Sequence, residues 1–161
     1  MIELKGLTKD FGSLRAVDGI NLQIPRGEFF AVLGPNAAGK TTTIKMMVGL
    51  IRPTAGQAWI AGFDIQENPL EARSRLSYVP DFPFLYEKLT PAEFLRFTGR
   101  LFRMPDAQIR EECDELVPRF NLEDWLHQPI ESLSHGTRQR IAIASALLHR
   151  PEVFIIDEPM V

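Results

Sequence analysis

Apolar and polar residues alternate at the start of the chain, with Ile2, Leu4 and Leu7 in one run and Ile20, Leu22 and Ile24 in a second. Turn-forming clusters, Phe11-Gly12-Ser13 and Pro25-Arg26-Gly27, bound these runs. A period of two between turns predicts two or three antiparallel strands. The pattern then becomes continuous at Glu28-Phe29-Phe30-Ala31-Val32-Leu33, as expected of a buried strand. A helix is expected from about Gly39 to Leu50, a turn at Pro53, Ala55 and Gly56, and a short strand from Gln57 to Gly62. Leu76 to Val79 reads as a further strand, stopped by Pro80.

Beyond Phe82 the period changes to that of helices. Thr90-Pro91-Ala92-Glu93 offers an N-cap threonine, a proline at the first helical position and a glutamate three residues after the cap. Phe94, Phe97, Leu101 and Phe102 form the apolar stripe that follows. A second helix is expected from Asp106 to about Val117, ending at Pro118, and a short third around Leu122 to Leu126. Residues 82–133 therefore read as a helical insertion into an α/β core. Ser134 caps one more helix, which runs to Arg150 and stops at Pro151. Val153-Phe154-Ile155-Ile156 is short and rich in β-branched residues, the mark of a central parallel strand.

Composition narrows the function classes. The 161 residues are 45% hydrophobic and 24% charged, with a net charge of −3, so nothing here recommends nucleic acid as the main partner. One cysteine, Cys113, excludes an internal disulfide, and its helical spacing with Ile109, Leu116 and Val117 makes it core filler. His127, His135 and His149 lack a ligand-like grouping, so no protein-only metal site is expected. Charges at Glu3 and Lys5 do not suit a signal peptide, and the run Ile141 to Leu148 is too short to cross a bilayer. A role at a membrane would come through a partner.

Two stretches carry chemistry. Gly34-Pro35-Asn36-Ala37-Ala38-Gly39-Lys40-Thr41 fits the pattern G-x-x-x-x-G-K-[ST] between an expected strand and an expected helix. A loop in that setting directs backbone N–H groups and a helix N-terminus at one anion. Gly39 permits tight closure, Lys40 adds a point charge at the β/γ-phosphates, and the Thr41 hydroxyl suits Mg²⁺. At the other end of the chain, Asp157 and Glu158 follow the last apolar run. Ligands of parallel sheets sit at the carboxyl ends of strands. There Asp157 can hold Mg²⁺ beside Thr41, while Glu158 orients or deprotonates the attacking water. The plain alternative is an acidic strand exit on the surface.

With Leu133-Ser134-His135-Gly136-Thr137 and the basic Arg138-Gln139-Arg140 added, the chain resembles the ATP-binding cassette (ABC) ATPases. Phosphate loop, helical insertion, signature helix and acidic strand come in that family's order, from about Phe11 to Glu158. The resemblance implies an α/β fold: a P-loop NTPase core with a mainly parallel sheet, an N-terminal antiparallel β-region and a helical subdomain. The core would comprise residues 1–81 and 134–161 of one ABC domain, and the helical subdomain residues 82–133. It implies ATP and Mg²⁺ as cofactors. Phe11 and Val17 would lie at the base, and Gly34, Pro35, Asn36, Ala37, Ala38, Gly39, Lys40, Thr41 and Thr42 would surround the phosphates. For Phe11 the alternative is a turn aromatic packed on the β-region. Lys40 and Glu158 would be catalytic, and Thr41, Asp81 and Asp157 would serve the metal. Ser134 and Gly136 would meet the γ-phosphate of ATP held by a facing subunit, in a homodimer or with a second ABC ATPase.

The implied role is an ATPase subunit on the cytoplasmic face of the membrane, driving separate membrane-spanning subunits, and the wording of the motifs is export-type. Phe82-Pro83-Phe84-Leu85-Tyr86 would lie at the coupling surface or be core of the insertion. The runner-up is a cassette ATPase acting on ribosomes or DNA, and a third reading is nucleotide binding without turnover. Departures from the family pattern are Ala37 for glycine, tolerable if its backbone is helical, His135 for the first signature glycine, Thr137 for glutamine and Asp81 for the glutamine after Tyr78-Val79-Pro80. The family also continues past Glu158 with a loop and a later strand ending in histidine. The reading is therefore of a cassette cut shortly after its acidic strand, expected to bind nucleotide weakly and hydrolyse it poorly by itself.

Overall fold

The computed structural model describes residues 1–157. Two compact units divide the chain, Met1–Tyr78 and Val79–Val161. In the first, β1 (Ile2–Phe11) and β2 (Leu14–Ile24) form the expected antiparallel pair around the Gly12 turn. Further elements of this unit are α1 (Lys40–Met47), β3 (Ala55–Ile60), β4 (Phe63–Asp64) and α2 (Pro69–Ser74), with β5 (Leu76–Val79) ending at the boundary. The sheet order is β2-β1-β3-β4, and both neighbours of β1 run antiparallel to it. Ile2 faces Ile24 on one side and Ile60 on the other, while Leu4 faces Leu22 and Ala58. This register puts Ile2, Leu4, Ala58 and Ile60 among the buried residues and leaves Lys5 exposed. Met46 and Met47 of α1 are buried too, and α1 packs on β2 and β3.

One expected element is missing. Glu28–Leu33 forms no strand: Phe29 is 97% exposed and Leu33 92%, and the run belongs to neither of the two sheets among the described residues. A strand buried on both faces exists only when neighbouring strands complete its ladder and cover its side chains. Apolar content alone does not supply them. The short elements α2 and β4 were also outside the sequence expectation, because six and two residues carry too little period to read.

The second unit is organised by α3 (Pro91–Leu101), α4 (Asp106–Arg119), α5 (His135–Leu147) and β6 (Val153–Ile156), with 3₁₀ turns at Glu123–Trp125 and Ile130–Ser132. The expected capping box starts α3, with Thr90 Oγ1 accepting from the Glu93 N–H and Glu93 accepting from the Thr90 N–H. Helix α4 runs past Pro118 to Arg119. Its core gathers Phe94, Leu95, Leu116, Leu122, Ile141 and Leu148, each of which contributes about 1.5–3 kcal/mol when fully buried. Cys113 is half-buried against this cluster, and burial pushes its thiol pKa up. Gly99 lets the helices close: a Cβ there would lie 2.6 Å from Ile109 Cγ1 and 3.3 Å from Leu148 Cδ2. Glu112, only 4% exposed, pairs with Arg150 just beyond α5 at 2.6 Å.

Candidate functional site

The phosphate loop belongs to the first unit. Gly39 is the N-cap of α1 with φ +84°, and a Cβ there would sit 2.5 Å from the Ala16 carbonyl oxygen and 3.2 Å from Val17 Cγ2. Only glycine fits both the backbone angle and the space. The same approach brings Val17, buried in β2, against the loop. Lys40 folds back, its Nζ donating to the carbonyls of Gly34 at 2.6 Å and Pro35 at 3.0 Å. An ammonium has three donors, so one remains for a phosphate oxygen. The first N–H groups of α1, including those of Thr41 and Thr42, have no intrahelical acceptor. The Thr41 side chain is exposed, and the Ala38 N–H closes the loop by donating to the Pro35 carbonyl at 3.2 Å. Cradle, cation and helix start thus converge, and these residues fit the triphosphate and Mg²⁺ that the sequence implied.

Ala37 corrects one expectation. Its φ is +65°, left-handed and not helical, so the condition under which alanine would be harmless there is not met. The Cβ is strained in that region by roughly 1–2 kcal/mol. Phe11 closes β1 opposite Leu14, half exposed, with Lys9 Nζ 5.1 Å from its ring centroid. It is not part of the buried core.

The second unit carries the remaining motifs. Asp157 follows β6 and is 6% exposed, and its N–H donates to the Val79 carbonyl at 2.9 Å. That bond ties Asp157 to the end of β5, two residues before the partly buried Asp81. Glu158 lies outside the described residues. Among the described residues no group of three or more His, Cys, Asp or Glu could hold a metal by itself. Two carboxylates in one region match a hydrated Mg²⁺ completed by phosphate oxygens better than a closed cage.

Ser134 is the N-cap of α5, its Oγ accepting from the Thr137 N–H at 3.2 Å. Gly136, in the first turn of α5, has nothing among the described residues within 4 Å of a Cβ position. Arg138, the first of the basic residues after the signature, is tied inward: Nε donates to the Leu133 carbonyl and Nη2 to that of Glu131, and Nη1 pairs with Glu87. It fixes the segment entering α5. Sequence reading missed this because the acceptors are backbone carbonyls.

A family model described as ABC transporter matches residues 17–161. The chain belongs to the ABC transporter family. It is 40% identical over 159 residues to the probable multidrug ABC transporter ATP-binding protein YbhF of Escherichia coli (strain K12), covering 99% of this chain and 28% of that protein. It is 38% identical to the Nod factor export ATP-binding protein I of Ralstonia nicotianae, covering 50% of it. With the daunorubicin/doxorubicin resistance ATP-binding protein DrrA of Streptomyces peucetius the identity is 39% and the coverage 48%. The chain therefore spans about half or less of these relatives. A solved structure titled as the ATP binding subunit of an ABC transporter superposes with a TM-score of 0.93 at 33% identity, covering 99% of this chain and 67% of that one. The fold is thus that of the ABC ATPase core, with its antiparallel N-terminal region and helical insertion.

Proposed function

We propose that this chain is the nucleotide-binding part of an ATPase that powers movement of a substrate across a membrane through separate membrane-spanning subunits. The observation that carries the reading is the loop at the start of α1, where Gly39 closes against Ala16 and Lys40 sits over the concavity. ATP would place its β/γ-phosphates against Lys40 and the N–H groups of residues 36–42, with Phe11 and Val17 toward the base. Thr41, Asp157 and Asp81 are the residues that would serve Mg²⁺, whose chemistry when bound is to neutralise charge on the transferring phosphoryl group. Glu158 would orient or deprotonate the water. Three relatives named for multidrug transport, Nod factor export and drug resistance support an export role.

A second ATPase copy belongs to this reading. Glycine in a helix costs up to about 1 kcal/mol relative to alanine, and nothing among the described residues crowds Gly136. An anion carried by a facing subunit accounts for that open space. Exposed aromatics support a membrane partner: Phe82 is 78% exposed and Phe84 96%, and Tyr86 meets Phe97 edge to face. Leu85 packs on the helical core instead, so the segment is divided between the two roles considered for it. Among the described residues no helix is long and apolar enough to cross a membrane. We place the protein on the cytoplasmic face, where ATP is available.

Steady-state Mg-ATP turnover by the full protein, compared with its Glu158→Gln variant, tests the reading. A large loss of turnover with nucleotide still bound is expected. Undiminished turnover in the variant would remove Glu158 from its role.

A further inference from the structure

The hydroxyl of Ser134 has a fixed hydrogen-bonding sense, and the residues that fix it are Thr137 and Arg140. Arg140 Nη2 lies 3.2 Å from Thr137 Oγ1, while Nη1 donates to the carbonyls of Phe120 at 3.0 Å and Asn121 at 3.2 Å. A guanidinium only donates, so Thr137 Oγ1 accepts from it. Thr137 is 5% exposed, and among the described residues the acceptor its own proton can reach is Ser134 Oγ at 2.9 Å, a contact whose distance alone would allow either hydroxyl to donate. A buried hydroxyl proton left without an acceptor is costly, so the proton points to Ser134. Ser134 Oγ already accepts from the Thr137 N–H at 3.2 Å. Both of its lone pairs are then occupied. Its own proton is left to point outward, from an exposed residue at the start of α5.

We infer that Arg140 and Thr137 are positioning residues that make Ser134 an obligate donor, aimed at an anionic oxygen delivered from outside this chain. Under the function proposed above, on which this rests, that oxygen belongs to the γ-phosphate of ATP on the facing subunit. The short polar link exists because threonine occupies position 137. Its hydroxyl bridges the gap of nearly two turns between Arg140 and Ser134, three residues away on each side. The carbonyls of Phe120 and Asn121, beyond the end of α4, hold the guanidinium still while it does so.

The test uses the full protein with Thr137→Val, Thr137→Ser, Ser134→Ala and the Ser134→Ala/Thr137→Val pair. Two quantities are read: turnover at saturating Mg-ATP, and Mg-ATP-driven association of two copies in a Glu158→Gln background. Thr137→Val keeps the backbone N–H and the side-chain shape but removes the relay. It should lower both readouts about 3- to 10-fold, the worth of one hydrogen bond, with the half-saturating Mg-ATP concentration unchanged. Thr137→Ser should restore them. In the Ser134→Ala background the valine should cost nothing more, whereas damage to α5 alone would add to the loss. Wild-type behaviour of Thr137→Val, or additive losses in the pair, overturns the relay. If wild type binds no Mg-ATP, the proposed function fails and takes the relay with it. Lys40-dependent binding with an indifferent Thr137→Val sinks the relay alone.

Discussion

Gly39 and Gly136 stand at the starts of two helices, and the chain treats them differently. At Gly39 the backbone is left-handed and the Ala16 carbonyl occupies the place of a side chain. At Gly136 a Cβ would meet nothing among the described residues within 4 Å. The first glycine is demanded by the folding of this chain, and the second is not. A phosphate loop is assembled by its own polypeptide, so its requirements are visible within one molecule. At the start of α5 no internal contact among the described residues fills the space at Gly136, and under the proposed function a second subunit would fill it. Their surroundings differ in the same sense. The phosphate loop follows an exposed apolar run that pairs with no strand among the described residues, while the start of α5 is fastened by Arg138 to the carbonyls of Leu133 and Glu131 and by Arg140 to those of Phe120 and Asn121.

Substitutions that exchange these properties break the comparison most sharply. Gly39→Ala meets a backbone oxygen at a positive φ, so we expect about 2–4 kcal/mol of lost stability and loss of Mg-ATP binding, read by urea unfolding and calorimetry. Wild-type stability in this variant would remove the close approach to Ala16. A control for crowding alone is Gly99→Val, which presses on Ile109 and should cost about 1–3 kcal/mol while leaving nucleotide affinity intact. Gly136→Ala should behave in the opposite way to both. It gains up to about 1 kcal/mol in unfolding because alanine favours helix, yet it reduces Mg-ATP-driven association.

Smaller effects sharpen the picture. Ala37→Gly relieves the left-handed strain and should raise stability by about 0.5–1 kcal/mol, seen as a higher melting temperature without nucleotide. An unchanged or lower value would mean that Ala37 is not strained. The capping box offers a pH test. Glu93 accepts hydrogen bonds from the Thr90 N–H and hydroxyl, which hold its pKa below the usual carboxylate value. Its stabilisation is therefore complete above about pH 5 and fades as pH falls through the lowered pKa. The melting difference between wild type and Glu93→Gln should close in acid. A gap independent of pH would exclude the carboxylate as its cause.

What the sequence disclosed follows from how local each cause is. The Thr90–Glu93 box and the Ser134 cap depend on neighbours three residues away, and both were read correctly. The strand Leu76–Val79 was read from its run and the Pro80 stop, although its partner Val153–Ile156 lies far along the chain. Glu28–Leu33 misled because a buried strand needs partners that composition cannot supply. The positive φ of Ala37 was hidden because alanine gives no sign of a left-handed turn. In the candidate site, the residue types of the phosphate loop and the acidic strand end were plain. The hold of Lys40 on the Gly34 and Pro35 carbonyls, and of Arg140 on residues about twenty positions earlier, needed the folded chain.

The central claim is that the loop around Gly39 and Lys40 binds a triphosphate, and isothermal titration of Mg-ATP into the full protein and its Lys40→Ala variant tests it most directly. One site per chain is predicted for wild type, weakened roughly 10- to 100-fold by removing the charge-assisted contact. Equal affinity in the two proteins, or no binding by a folded wild type, would contradict it.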